Sequence, residues 1–366
     1  MDYVGARRDS ASRPLNVLIT AEMLSLGGVA THVATLAAAL QREGLGVAVR
    51  ARRYSELMRS VLVGSGIDHD TYATPAELRQ LIASHAIDLV HAHPFDNLIA
   101  SAAAARLAGV PLVTTAHSTP YALWPVRRLR PLPDHIVCVS ADVKRVLDRA
   151  GIRSDRASVI ENGVEIPTAP PPLDWRAPRA AYIGRLDVEK RQAVAAVREA
   201  CRRLGWGLDI AGGRPREFPP APTQPLRPLR QTGDEVVWPP AADLAPIYQR
   251  VQVVCAAGRS AMEALAWGRV VLVVNETGYD GIVTPESAGR LLVGNFSARG
   301  PSRAPLDADR LAADLEQAAA SGDALADFGR AFAIRHLDVV TAVRRHLAVY
   351  EQVTARRREG RRLWSS

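Results

Sequence analysis

The chain has 366 residues, which is more than a single hydrophobic core usually supports, so two domains are expected. Its 48% hydrophobic and 23% charged residues are typical of a globular protein, and no apolar run reaches the roughly 18 residues of a membrane span. A net charge of +8 is compatible with nucleic acid, an anionic membrane or a phosphorylated ligand as partner. Of the 46 basic residues only Lys144 and Lys190 are lysines, so each of them draws attention.

The N-terminal segment and the cysteines exclude further classes of protein. Residues 1–13 are polar and lack the apolar stretch of a secretory signal. Cys138, Cys201 and Cys255 lie far apart and no pair has zinc-ligand spacing, so free thiols in a reducing compartment are expected. We therefore predict a cytoplasmic protein.

The first half of the chain alternates strand and helix signals, the pattern of a parallel sheet covered by helices. A buried strand at 15–20 leads into Gly27-Gly28 and a helix at 31–41. Because this pair has no side chains, a ligand could approach the helix start, although an ordinary turn is the alternative. Further elements are predicted as strands at 46–50, 89–93, 111–115 and 135–139 and as helices at 75–85, 96–108 and 141–150.

A proline-rich stretch at 165–178 has no periodicity and is the predicted linker. The pattern then restarts, with strands at 180–183, 207–211, 235–238, 251–255 and 270–274 and helices at 191–204 and 244–250. A glycine-bearing loop is predicted at 275–285, and helices follow from Asp307, the last at 339–356 before an arginine-rich tail. These signals predict an α/β fold with domains at 1–165 and 179–335, a linker at 166–178, and a last helix with its tail at 336–366.

Three histidines stand at the carboxyl ends of predicted strands: His91 and His93 on one strand, and His117 after the next. Ligands bind at this edge of an open α/β sheet, so we expect at least one of the three in a site. His91 and His93 share a face of their strand, which would permit a zinc chelate. No carboxylate or cysteine motif accompanies them, so no metal is predicted.

Two cations, Arg185 and Lys190, follow the strand at 180–183. The planar fork of arginine and the point charge of lysine both suit a pyrophosphate. A solvated helix start is the alternative, but the helix dipole makes cations unfavourable there. Their position therefore indicates an anionic ligand.

A short helix between two buried strands lies within residues 258–268. Ser260 is its predicted N-cap, and Glu263 has the spacing of a capping box. The free N–H groups at such a helix start suit a phosphate. Glu263 has two compatible interpretations: it completes the cap, or it accepts both hydroxyls of a ribose.

Residues 121–133 contain one tyrosine, one tryptophan, three arginines and three prolines. This composition argues against a regular helix or a central strand. The segment is either a solvated connection or a surface that touches an anionic membrane or an acceptor.

Several short motifs follow one another along the chain, namely Gly27-Gly28, the strand-end His93 and His117, Val139-Ser140, Asn162-Gly163-Val164, Gly184-Arg185-Leu186 with Lys190, and Glu263-Ala264 with Gly268. In this order they resemble the family 4 retaining glycosyltransferases, over residues 15–350. The resemblance implies a GT-B architecture, in which two Rossmann-like domains face each other across a cleft. It also implies that the last helix crosses back onto the first domain.

The resemblance further implies a sugar nucleotide on the C-terminal domain and an acceptor (a glycan, lipid or small molecule) on the N-terminal domain. Arg185 and Lys190 would bind the diphosphate, Glu263 the ribose and His117 the donor sugar, while Gly28 would approach the phosphates. The remaining implied donor contacts are Gly184, Gly212, Gly213, Gly258, Ser260, Ala261 and Met262. No metal is expected, because the cations and helix N-termini offset the charge of the leaving nucleotide. No cofactor and no nucleic-acid partner are expected either.

The implied activity is that of a hexosyltransferase in bacterial glycan biosynthesis, cytoplasmic or peripheral at the inner face of the membrane. It would retain the anomeric configuration by front-face attack, with the leaving phosphate as base.

Two positions depart from the family pattern. The first glutamate of its E-x7-E signature falls on Cys255, and the glutamate that usually precedes an apolar pair is Gly281, before Ile282-Val283. Sugar recognition is then expected from the backbone of residues 258–262 and from the loop of Gly278 and Gly281, with His91 and His93 as further sugar or acceptor contacts. The alternatives are a non-catalytic relative that binds nucleotide sugar or glycan, and a nucleotide-sugar epimerase.

Overall fold

The computed structural model of the chain describes residues 13–93, 97–118, 133–151, 154–186, 188–212, 226–300 and 302–363. Within these ranges the strands form two sheets of seven strands each. The predicted contact Gly213 and nearly all of the arginine-aromatic segment lie outside the described residues.

The N-terminal sheet is parallel throughout and has the spatial order β3-β2-β1-β4-β5-β6-β7. Its strands are β1 (Asn16–Leu24), β2 (Gly46–Tyr54), β3 (Asp68–Thr71), β4 (Leu89–His93), β5 (Leu112–Ala116), β6 (His135–Cys138) and β7 (Ala157–Val159). The helices between them are α1 (Gly28–Arg42), α2 (Glu56–Gly64), α3 (Pro75–Ser84), α4 (Leu98–Ala108) and α5 (Ala141–Arg149). The strand order reverses between β1 and β4, and such a switch point opens a crevice at the carboxyl edge.

Two elements of this half were not predicted. β3 is a mostly exposed strand at the edge of the sheet, without the apolar residues that mark a buried strand. Helix α2 has apolar residues at helical spacing, of which Met58 and Leu62 are buried, but this short pattern was not included in the sequence prediction. The predicted strand at 15–20 is also longer, because β1 continues through Leu24.

The C-terminal sheet repeats the plan in the order β10-β11-β9-β8-β12-β13-β14, with an antiparallel strand at each edge. Its strands are β8 (Arg179–Ile183), β9 (Gly207–Ala211), β10 (Arg230–Thr232), β11 (Glu235–Trp238), β12 (Val253–Ala256), β13 (Val270–Asn275) and β14 (Gly278–Ile282). Its helices are α6 (Arg191–Leu204), α7 (Ala245–Tyr248), α8 (Arg259–Ala266), α9 (Pro285–Val293) and α10 (Ala308–His336). The switch point here lies between β8 and β12.

Two sequence predictions in this domain are wrong. The segment predicted as a loop at 275–285 contains β14, which pairs with β13 and has the positive φ of 91° at Gly281 that an ordinary side chain would resist. Helix α8 begins at Arg259, and its N-cap is Gly258 (φ 61°), not Ser260. Glycine stands at the cap because the chain enters the helix through a left-handed turn, and Glu263 makes other contacts instead of a capping box.

The last helix, α11 (Val339–Leu363), returns to the N-terminal domain, as the resemblance implied. Its apolar face packs into the core formed by β1 and α1, through Val343, Leu347, Tyr350 and Val353. The arginine-rich tail predicted at 356–362 is the final part of this helix.

The limits predicted for the two domains and for the linker between them stay a prediction. None of the helices in the described ranges is long and apolar enough to cross a membrane.

Candidate functional site

A cavity of about 220 Å³ lies between the carboxyl edges of the two sheets. The N-terminal domain contributes the turn after β1 and the start of α1, with Leu26, Gly27, Gly28 and Thr31. The C-terminal domain contributes the ends of its strands and the start of α8, with Gly184, Arg185, Lys190, Gly212, Ala257, Arg259, Ser260 and Glu263. The two domains therefore place most of the predicted donor contacts around one space.

Gly184 and Gly212 meet at the floor of this cavity. A Cβ atom on Gly212, whose φ is 140°, would lie 1.8 Å from the carbonyl oxygen of Gly184. Only glycine fits where two backbones approach so closely. By contrast, a Cβ on Gly28 would meet nothing within 4 Å. The missing side chain at this position therefore leaves space open in the cavity.

The two predicted cations reach the cavity in different ways. Arg185 is exposed at its rim. Lys190 ends a 3-10 helix (Val188–Lys190), and its Nζ donates to Asn275 and forms an ion pair with Glu276. Burial opposes ionisation of Glu276, but hydrogen bonds from Lys190 and Arg299 outweigh it and lower the pKa of that carboxyl to about 2. Lys190 is thus held at the cavity by a carboxylate, a contact that the sequence did not predict.

Glu263 is oriented by two neighbours. Arg259 Nε lies 2.8 Å from Oε1 of this carboxylate, and the Tyr248 hydroxyl donates to Oε2 at 3.4 Å. Burial raises the pKa of Glu263, and the Arg259 guanidinium works in the opposite direction. A quarter of the side chain stays exposed, which leaves the carboxylate accessible as an acceptor for ligand hydroxyls.

Arg259 is a site residue that sequence reasoning missed. Its guanidinium donates to the Gly163 carbonyl at 2.7 Å and to the Thr35 hydroxyl at 2.8 Å, so it bridges α8 to the N-terminal domain beneath the cavity. A signal was present, because a cation in the first turn of a helix opposes the helix dipole. The same argument had singled out Arg185 and Lys190.

The strand-end histidines form part of a buried cluster next to the cavity. His93 Nδ1 and His117 Nε2 are 3.0 Å apart. His32 on α1 and His346 on α11 complete the cluster, although neither had a sequence signal because both lie inside helices. Burial lowers the pKa of His117 and of His346 to about 4, so both rings are neutral at pH 7.

His91 does not have the predicted contact role. It is fully buried, its Nδ1 is 2.7 Å from the Tyr350 hydroxyl, and its Nε2 is 2.7 Å from the Thr115 hydroxyl. Both ring nitrogens are therefore used to join β4 to β5 and α11. The expectation of a sugar or acceptor contact is corrected to a packing role.

Five other predicted contacts lie away from the cavity wall. One is Gly258, whose backbone N–H donates to the Phe296 carbonyl at 2.7 Å. Ala261 and Met262 are fully buried on the core side of α8. Gly278 and Gly281 lie in β14, and Gly278 packs against the Ala304 carbonyl, where a Cβ would come within 2.6 Å. Neither pair lines the cavity.

The position of the missing signature glutamate is also in the core. Cys255 lies within β12 between Tyr182 and Leu272, and only 1% of it is exposed. Burial keeps the pKa of its thiol well above the ordinary value. Ala257, two residues on, is the part of this segment that reaches the cavity.

Comparisons with solved structures identify the fold. HepE from Anabaena, solved in complex with UDP and glucose, matches with a TM-score of 0.69 and 15% identity over 92% of this chain and 99% of its own. Sucrose-phosphate synthase from Thermosynechococcus elongatus matches with a TM-score of 0.61 and 16% identity over 93% and 99%. The chain has the GT-B fold.

The family comparison agrees with the motifs. Residues 26–166 match the model of Glycosyltransferase Family 4, which confirms the resemblance read from the motifs. A putative UDP-N-acetylglucosamine 2-epimerase from Listeria monocytogenes shares the GT-B fold, with a TM-score of 0.56 and 17% identity over 91% of this chain and 95% of its own. No curated protein matches the sequence at a significant level.

Proposed function

We propose that this GT-B protein is a retaining glycosyltransferase that moves a hexose-type sugar from a nucleotide-diphosphate sugar to an acceptor hydroxyl. The observation that carries the proposal is the cavity between the domains. It brings the glycine turn at Gly28, the cations Arg185 and Lys190, and the carboxylate of Glu263 around one space. HepE, a protein of the same fold, was solved with UDP-glucose, a donor of this class.

In the proposed complex the diphosphate lies against Arg185, Lys190 and the N-terminus of α8. These groups supply positive charge where negative charge develops on the leaving nucleotide, so the transfer needs no metal ion at the diphosphate. Gly28 lets the start of α1 approach the phosphates from the other domain. Glu263 accepts the ribose hydroxyls through a carboxylate whose orientation is fixed by Arg259 and Tyr248. His117 contacts the donor sugar.

The proposed reaction breaks the bond between the anomeric carbon and the phosphate oxygen. The acceptor oxygen attacks from the same face, and its proton passes to an oxygen of the leaving phosphate. This route requires no protein nucleophile, and the product keeps the anomeric configuration of the donor.

The test is incubation of the purified protein with UDP-, GDP-, ADP- and dTDP-sugars, with and without candidate acceptors and without added Mg²⁺ or Mn²⁺. We expect release of one nucleoside diphosphate together with a glycoside whose anomeric configuration, measured by NMR, equals that of the donor. An inverted product would refute retention, and a strict requirement for added Mg²⁺ would refute the metal-free diphosphate site.

Two alternatives have specific support and distinct outcomes. An epimerase is favoured by the likeness to the Listeria protein, and it would convert the donor sugar to its epimer without an acceptor. A non-catalytic binder is favoured by Cys255 at the signature position, and it would bind a nucleotide sugar without consuming it. A thermal-shift screen of the same sugar nucleotides identifies the bound donor in either case, since ligands stabilise the fold by mass action.

A peripheral membrane contact is proposed for the arginine-rich end of α11 together with residues 121–133. Basic residues near a surface are attracted to anionic lipid within a Debye length. Flotation with anionic vesicles should carry the protein at low salt and release it at high salt. Equal recovery with neutral and anionic vesicles would refute the contact.

A further inference from the structure

Five histidines from both ends of the chain converge beside the cavity. They are His32 on α1, His91 and His93 on β4, His117 after β5, and His346 on α11. The centroids of neighbouring rings are 4.1 to 6.4 Å apart. In the described part of the chain, no carboxylate is hydrogen-bonded or ion-paired to any of these rings, so the cluster is a group of neutral nitrogen ligands.

Three members of the cluster have the geometry of a metal site. His32, His93 and His117 each offer a ring nitrogen, and these three atoms lie within 4.8 Å of one another. Zinc–nitrogen bonds are 2.0–2.1 Å long, so two ligands of a tetrahedral ion lie about 3.3 Å apart. His93 and His117 already stand at 3.0 Å. The wider separations, up to 4.8 Å, would have to shorten for all three nitrogens to reach one ion.

Hydrogen bonding within the protein leaves this trio incompletely satisfied. Nε2 of His32 and Nε2 of His93 are buried and make no hydrogen bond. An unpaired buried polar atom is costly, and such atoms in a folded protein call for an explanation. Coordination through Nε2 of His32 would give that atom a partner, and it would replace the single hydrogen bond between His93 Nδ1 and His117 Nε2 by two bonds to the ion. Nε2 of His93 would stay unpaired, because Nδ1 is the nitrogen that faces His117.

The other two histidines belong to the surroundings of the trio. The ring centroid of His91 lies 4.1 Å from that of His93, with the two rings tilted by 42°, but both nitrogens of His91 are bound to Tyr350 and Thr115. Nδ1 of His346 is held by the Ala342 carbonyl. These two rings therefore pack against the trio and are not ligands.

None of the three rings lines the cavity, but the trio lies close to its wall. His117 is only half-buried, and Thr31, the neighbour of His32 on α1, is a lining residue. Arg259 repels positive charge at His32, and its ion pair with Glu263 offsets part of that repulsion. Three protein ligands with a fourth position open to a water or a ligand oxygen is the pattern of catalytic zinc sites.

We propose that His32, His93 and His117 bind one divalent transition-metal ion of the zinc class, with a water or a ligand oxygen in its fourth position. The site lies on the N-terminal domain, apart from the diphosphate contacts. It shares His117 with the donor-sugar contact proposed above, but metal binding can be measured without any transfer reaction. It differs from the prediction of no metal because the third ligand comes from α1. The strand-end pattern of His91, His93 and His117 did not include that helix.

The test uses the untagged full-length protein, freed of metal by chelator dialysis and titrated with Co²⁺ and Zn²⁺. We expect one Co²⁺ per chain, with the visible absorption of a tetrahedral ion that Zn²⁺ then displaces. His117→Gln and His32→Gln should each weaken Co²⁺ binding by about 100-fold or more. His135→Gln, at a buried histidine of the same sheet outside the cluster, should leave it unchanged.

The thermal unfolding of each apo variant confirms that it is folded before titration, and His117→Gln is the safer variant because this ring is only half-buried. A wild-type protein that binds no Co²⁺ would overturn the proposal. So would unchanged affinity in folded His117→Gln and His32→Gln. Loss of binding in His91→Gln with retention in His32→Gln would show that the ligands are the strand-end histidines instead.

Discussion

Lys190 illustrates how a single side chain acquires its role. It is one of two lysines in the chain, and it is held at the cavity by Asn275 and Glu276. A bound diphosphate would share this ammonium with Glu276, so the donor competes with an ion pair that already exists. The sequence identified the cation but not the carboxylate, because Glu276 lies 86 positions along the chain.

Lys190→Ala should lower kcat of the proposed transfer by at least about tenfold, which corresponds to about 1.4 kcal/mol of transition-state stabilisation. The reason is the loss of a positive charge next to the leaving diphosphate. Lys144→Ala is the matched control, since that lysine forms an i,i+4 ion pair with Asp148 on α5. Equal turnover in the two variants would contradict the assignment of Lys190 to the diphosphate.

His135 makes folding sensitive to acid. Burial, followed by repulsion from Arg356 and Arg156, lowers the pKa of His135 to about 4, below its ordinary 6.5. The unfolded chain therefore takes up the proton first as the pH falls. The stabilising contribution of this residue is complete above about pH 6.5 and is lost progressively towards pH 4.

His135→Gln keeps a side chain able to bond to the Ser158 hydroxyl but does not titrate. Between pH 7 and pH 5 we expect the free energy of unfolding of the wild type to fall by about 1 kcal/mol more than that of the variant, after allowance for solvent screening. Urea denaturation at the two pH values measures this difference. Parallel losses in both proteins would contradict the predicted pKa.

At the level of elements, the start of α11 is fixed by a close approach of two backbones. Gly163 lies against the first residue of this helix, and a Cβ at position 163 would come within 2.7 Å of Val339 Cα and 2.9 Å of Ala342 Cβ. Backbone hydrogen bonds join Val164 to Leu337 and Val339 on either side of this contact. The motif Asn162-Gly163-Val164 is thus the docking point of the last helix, a contact that the sequence did not predict.

Gly163→Ala should destabilise the protein by about 2 kcal/mol, because the methyl group forces the helix away from the N-terminal domain. Gly289→Ala is the matched control, since a Cβ there meets nothing within 4 Å and lies inside α9. It should stabilise by about 0.5–1 kcal/mol. Chemical denaturation measures both, and equal effects of the two substitutions would contradict the packing described here.

At the level of the whole molecule, Arg259 joins the two domains below the cavity. The same guanidinium contacts Glu263 in its own helix, Thr35 in α1 and the Gly163 carbonyl near the docking point of α11. The carboxylate proposed for the ribose is therefore coupled to the interface between the domains. A ligand that engages Glu263 acts on the same network.

Arg259→Ala should lower the free energy of unfolding by about 3 kcal/mol, because Glu263 is left partly buried without its cation. Adding Glu263→Gln to this variant should recover part of the loss, since a neutral amide needs no counter-ion. Arg13→Ala provides a surface control, because the Arg13 side chain is 54% exposed in its ion pair with Asp88 and should cost less than about 1 kcal/mol. A double variant no more stable than Arg259→Ala would show that the ion pair is not the cause.

Local patterns were sufficient for most of the fold. The apolar strands and the helices that follow them predicted two doubly wound domains, and the bounds of β4, α6, β9 and β11 agree with the structure. Each of these elements buries several apolar side chains in the core, which is the signal that sequence periodicity detects. The exposed edge strands β3 and β10 gave no such signal.

The sequence by itself determined the two-domain α/β class, the glycine turns and the cations at strand ends, because these depend on neighbours close in the chain. Only the tertiary structure decided which distant groups meet. It paired Lys190 with Glu276, placed Cys255 inside the core, gave His91 to packing, and brought His32 to His93 and His117. Such contacts depend on how helices lie across the sheets and on the return of α11, and one-dimensional spacing does not contain that information.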